Sequence, residues 1–352
     1  MNMECDILEA WVGEENLTYF YNKADMRISD VPSDEQKLEF TVRSRATLPQ
    51  LALHFTLSPG ATITPANGSL QDFSKEAVTY TVTSEDGQWK KQYTISFTNP
   101  VSVSKFDFEN YSLDEKGKYY VWYEKAEDGT LSSMWASGNG GYMIAKPNVA
   151  PEAYPTAPDP NGYEGSCVKL TTCDTGSWGK TFKKPIAAGN LFLGNFNSTY
   201  AMTNTLKTTE MGLPFMQEPL KVTGYYKYTP GDVFTDKDKT VVAGRVDEPS
   251  IYAVFYRNQD ADGNSIVLHG DDVMTSPYIV SIAQATSLPS TTEWKMFEMT
   301  FDQHKAVDQS ILENRGYNLA MVFSSSKTGD KFEGAVGSTL YVDKVNITFI
   351  GK

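Results

Sequence analysis

Histidine, cysteine, basic charge and long apolar runs are all scarce in this 352-residue sequence. Each scarcity excludes something. The three histidines, His54, His269 and His304, are not spaced to form a zinc site with one another or with cysteine. The three cysteines are Cys5, Cys167 and Cys173. The last two share one extended run, which sets them roughly 20 Å apart, beyond disulfide reach, so all three are expected as free thiols. With 31 basic against 44 acidic residues the formal charge is −13. Nucleic acid and anionic membranes, which call for basic patches, are therefore excluded as partners. No stretch is apolar for the length needed to span a bilayer, and no signal peptide is visible at Met1. Nucleophile-elbow, phosphate-loop and dinucleotide fingerprints are missing, as are internal repeats.

Aromatic residues are plentiful: 20 Tyr, 18 Phe and 6 Trp, a composition that favours sheets and sugar-binding surfaces. The chain is long enough for two domains. Up to about Asp34 it reads as polar and irregular. Alternating strands then follow, with Leu38, Phe40 and Val42 on one face, then Leu51 to Leu57, Val78 to Val82 and Tyr93 to Phe97. Ser58-Pro59-Gly60, Asn67-Gly68 and Asp86-Gly87 punctuate them. That pattern predicts an immunoglobulin-like β-sandwich over residues 1–99, with the boundary at Asn99-Pro100.

Residues 100–352 predict a larger all-β domain, a jelly-roll β-sandwich of about eleven strands. Candidates include Leu220–Tyr228, Ile251–Arg257, Tyr317–Phe323 and Thr339–Phe349, together with Tyr142–Ala145. Long loops run over 146–165 and 197–219, and only Val307–Asn314 reads as helical. On the last strand, period two places Asp343 on the face of Tyr341, Val345, Ile347 and Phe349. A carboxylate among core residues needs a cation, a metal or several donors. Glu109 ends the first strand of this domain, and the two carboxylates are candidate ligands for a structural Ca²⁺. The calcium-loop-like run Asn258-x-Asp260-x-Asp262-Gly263 has His269 at its twelfth position and reads better as a hairpin turn.

Candidate ligand-binding residues are Trp122, Trp135, Asn139, Tyr142, Trp178, Asn190 and Glu333. Trp135 to Tyr142 and Thr175 to Gly179 read as glycine-rich loops that present rings to a sugar's C–H face. Core filling is the competing reading, evenly matched for Trp122. For Asn190 the competing role is tying down its own loop. Glycoside hydrolysis needs two opposed carboxylates, and Glu333 and Glu124 are the first candidates.

Six strings carry a resemblance: FDFENY (106–111), WASGNGGY (135–142), AAGNLFLGNF (187–196), LKVTGYYKYTPG (220–231), IYAVFYR (251–257) and LAMVFSSSKTGDKFEGAVGSTLYVDKV (319–345). Together they make the larger domain resemble the putative carbohydrate metabolism domain family of Bacteroidetes. DFSKEAVTYTVTSEDGQWKKQYTISF (72–97) is similar to the immunoglobulin-like module that often precedes it. The resemblance implies a jelly-roll related to carbohydrate-binding modules, set in the periplasm or on the outer-membrane surface, frequently as a lipoprotein. Asn2-Met3-Glu4, ahead of Cys5, is no lipobox. The leading expectation is a non-catalytic glycan-binding protein. The alternatives are a glycoside hydrolase and a structural surface protein.

Overall fold

The computed structural model describes residues 4–20, 23–42, 48–98, 101–125, 129–201 and 203–350. It divides into two compact units, one reaching Val101 and the other starting at Ser102. The boundary expected at Asn99-Pro100 lies outside the described residues. Among the described residues, no helix is long and apolar enough to cross a membrane.

The first unit is a sandwich of two four-stranded sheets. One orders Arg27–Ile28, Ile7–Val12, Gln50–Leu57 and Leu70–Asp72; the other orders Lys37–Thr41, Lys90–Thr98, Val78–Thr83 and Thr62–Thr64. The alternating residues point inward as expected: Leu51, Leu53, Phe55, Tyr80, Val82, Tyr93, Ile95 and Phe97 share one core. The stretch before Asp34 is not irregular. Ile7–Val12 is a strand that buries Ile7, Ala10 and Val12. Its register shifts between Ile7 and Glu9, which breaks the period-two pattern and hides the strand.

The second unit is a β-sandwich of two antiparallel sheets. The first sheet runs Trp135–Ala136, Asn190–Phe196, Tyr317–Ser324, Ser250–Arg257, Ile279–Gln284 and Asp302–Gln303. The second runs Thr156–Asp159, Cys167–Thr171, Thr339–Ile350, Pro219–Thr229 and Thr291–Thr300, with Val101–Phe106 also pairing to Thr339–Ile350. Leu191, Ile251, Phe255, Leu319 and Phe323 of the first sheet meet Leu170, Val222, Phe297, Leu340 and Ile347 of the second in one core. The first sheet is covered on both faces. On its far side Phe192, Val254, Tyr256, Ala320 and Val322 pack beneath Met211, Leu268 and Val273. That double burial explains why Ile251–Phe255 and Leu319–Phe323 are apolar throughout.

Three local expectations are corrected. Residues read as the strand Tyr142–Ala145 and the loop Trp135–Tyr142 form instead a short strand, Trp135–Ala136, and a helix, Asn139–Ala145. The Thr175–Gly179 loop is mostly the helix Gly176–Thr181. Glycine has low helix propensity, so tertiary contacts must hold these turns. Gly140 and Gly141 lie so close to the Phe196 ring that an added Cβ would meet it at 3.3 Å. The long loop over 146–165 contains a further strand, Thr156–Asp159. The helical expectation near Val307–Asn314 appears as Gln309–Glu313, N-capped by Asp308 accepting from the Ile311 N–H at 3.1 Å.

Candidate functional site

Most of the expected sugar-binding residues are interior. Trp122 and Trp135 are 1% and 4% exposed. Trp135 packs edge-on against Phe106 at 5.2 Å and tilted against Phe108 and Phe323. Tyr142 is buried against Tyr154. Asn139 is fully buried; its amide donates to the Thr156 carbonyl at 2.7 Å and accepts from the Thr156 N–H at 3.1 Å. Asn190 accepts from the Gly138 N–H at 2.8 Å and donates to the Ala188 carbonyl. The amides therefore tie loops together, and the indoles fill the core. Trp178 is only half-buried and lies against the exposed ring of Phe182 at 4.7 Å.

The two candidate catalytic carboxylates occupy different settings. Glu333 is paired with Arg245 at 3.5 Å. Glu124 accepts the indole N–H of Trp135 at 2.7 Å. Burial first, and then the charge of Asp107, push the Glu124 carboxyl up to about 7, against the lowering effect of the indole.

Asp343 lies on the opposite side of its strand from the one period two assigned. Thr339–Ile350 buries Leu340 and Val342, then Val345, Ile347 and Phe349. Opposite it, Thr223 pairs with Asn346 but Tyr225 pairs with Asp343. The last strand thus carries one extra residue, a β-bulge, with Lys344 at φ 47°. The bulge reverses the parity, so Tyr341 and Asp343 face outward. Asp343 is nevertheless buried, because the loop at 160–166 closes over it. The carboxylate accepts the Glu164 N–H at 3.0 Å and the Lys344 N–H at 2.7 Å. Burial pushes its carboxyl upward, and those N–H groups oppose the shift. Glu109 holds the other end of the same loop, accepting the Ser166 N–H at 3.0 and 3.1 Å. Of the partners expected for Asp343, backbone donors are the ones found. Among the described residues no group of three or more His, Cys, Asp or Glu is placed to hold a metal ion.

The roofing loop delivers an aromatic side chain onto the outer face of the second sheet. Tyr163 is 47% exposed and stacks on Tyr225, with centroids 3.7 Å apart and planes 8° from parallel. Trp294 stands edge-on to Tyr163 at 6.3 Å. Lys227 places its ammonium 4.7 Å from the ring centres of both Trp294 and Tyr341. Met296, opposite Tyr225, is exposed. Strand pairing puts Lys169, Tyr341 and Lys227 in one row across the sheet. The result is a partly open surface of rings with the Lys227 ammonium lodged among them. The sequence reading missed it, although Tyr225-Tyr-Lys-Tyr228 carries the signal. Tyr226 and Tyr228 go to the core, so Tyr225 and Lys227 must go outward.

Fold and face together define a two-domain β-sandwich protein with an aromatic, lysine-bearing sheet surface. The chain belongs to the putative carbohydrate metabolism domain family, whose model matches residues 107–348. Residues 20–97 match the family described as SGBP, N-terminal. A putative glycoside hydrolase from Bacteroides thetaiotaomicron VPI-5482 is 37% identical over 100% of this chain and 98% of its own, with a TM-score of 0.66. A second, from Bacteroides vulgatus ATCC 8482, is 38% identical over 69% of this chain and 96% of its own, with a TM-score of 0.64. No curated protein matches the chain.

Proposed function

We propose that this protein binds glycans without cleaving them, on the outer face of the second sheet, outside the cytoplasm at the periplasm or the outer-membrane surface. One observation carries the reading. The exposed ring of Tyr163, stacked on the half-buried Tyr225, offers a flat apolar surface that a sugar's C–H face packs against, with Trp294 standing edge-on beside it. The family membership and the front-domain match support a carbohydrate role. Isothermal titration against neutral and acidic gut polysaccharides tests it. Trp294→Ala and Tyr163→Ala should each weaken binding about tenfold while leaving the melting temperature unchanged. No heat with any glycan would sink the reading.

A hydrolytic reading keeps one observation in its favour: Glu124 retains its proton to about pH 7 beside Asp107, as a general acid would. Product release from a glycan, lost in Glu124→Gln, would establish it. No product from any polysaccharide that binds would remove it.

A further inference from the structure

Two lysines, Lys227 and Lys169, stand on this face with Tyr341 between them. Acidic residues outnumber basic ones by 44 to 31, and several surface lysines are held by a carboxylate. Examples are Lys221 with Glu298 at 3.2 Å and Lys239 with Asp174 at 2.6 Å. Lys227 and Lys169 form no ion pair among the described residues, and the Lys227 ammonium lies over the two rings. Asp159, on the strand beside Lys169 and one row away, accepts from the Asn161 backbone and side chain at 2.9 and 3.1 Å, and the exposed Glu293 lies in the bulge opposite Lys227. Asp343 is sealed beneath its loop and satisfied by N–H groups. With Tyr341 between them, the two lysines stand two strand spacings apart, about 10 Å between Cα atoms. That is about the width of one sugar ring together with its charged group.

Resting on the proposed glycan reading, we infer that the glycan is acidic, a uronic-acid polymer whose carboxylates meet Lys227 and Lys169 while its rings stack on Tyr163 beside Trp294. A uronate carboxylate is bonded directly to the sugar ring. A ring lying flat on the aromatic surface therefore holds its charge at its own edge, level with an ammonium lodged between two rings. A sulfate hangs from an ester oxygen and stands off the ring. Lys227 is partly desolvated by Trp294 and Tyr341, so an anion beside it is attracted more strongly than in open water.

The test uses the full chain and titrates polygalacturonate and alginate as free acids, the same polymers fully methyl-esterified, a sulfated galactan and neutral galactan. The expected result is at least about tenfold tighter binding of a free acid than of its ester, weakened by added salt. The acid-to-ester ratio should fall toward one in Lys227→Met and in Lys169→Gln. Equal affinity for acid and ester, or preference for the sulfated polymer, overturns the inference and leaves glycan binding standing. Binding of none of these or of any other glycan overturns both. An acid preference that survives both lysine substitutions also overturns it, because the charge would then be read elsewhere.

Discussion

Glu124 is a carboxyl group kept from ionising by its surroundings, and that has a measurable consequence. Its folded value, about 7, stands above the ordinary 4.5 because burial and Asp107 disfavour the anion. The folded protein therefore holds a proton that the unfolded chain releases. The stability this contributes is fully present below pH 4.5 and is lost as pH rises through 7. Its size is about 1–2 kcal/mol once the partly open side of the group is allowed for. Melting curves of the protein and of Glu124→Gln should diverge over that interval, the protein losing stability relative to the variant, and run parallel above it. Curves parallel from pH 4 to 8 would mean that Glu124 ionises normally. Trp135 acts at the same scale. Its ring fills space between Phe106, Phe108 and Phe323, so Trp135→Ala should cost about 3–5 kcal/mol in denaturant unfolding.

At the scale of elements, one inserted residue governs the site. The bulge at Asp343 and Lys344 turns a carboxylate away from the core and up to a loop that it then fastens. Asp343→Ala removes the acceptor of the Glu164 and Lys344 N–H groups. Each donor left without a partner costs about 1–3 kcal/mol. The loop should loosen, seen as faster amide exchange over 160–166, and glycan affinity should fall with it because Tyr163 leaves its stack. Retained affinity would separate the loop from binding. Strand positions were largely legible in the sequence because alternation and turn chemistry are local. The side to which Asp343 points was not, since parity fails at a bulge and nothing in Tyr-Val-Asp-Lys-Val announces one. The tryptophans misled for a related reason. Glycines beside Trp135 read as an exposed loop, yet Trp135 opens the short strand Trp135–Ala136 and its ring lies between the sheets among Phe106, Phe108 and Phe323. Asn139 was legible as an important amide, but its partner, the Thr156 backbone, lies 17 residues away in sequence.

At the scale of the whole molecule, each unit has its own core, built from Ile7 to Phe97 in one and Phe106 to Phe349 in the other. Residues 102–352 produced alone should fold cooperatively and bind glycan with the affinity of the full chain. A loss of more than about tenfold would show that the front domain takes part in recognition. The all-β organisation was legible from turn spacing and from the apolar character of the central strands. The identity of the open face was not, because it depends on which sheet the long segments between strands cover.

That covering has a further effect on what the larger domain can recognise. With one of its sheets enclosed on both sides, the proposed reading leaves a polymer the outer flank of the other sheet to lie along. On the proposed glycan reading, a strand of sugars settling there would be met along its length rather than at its tips.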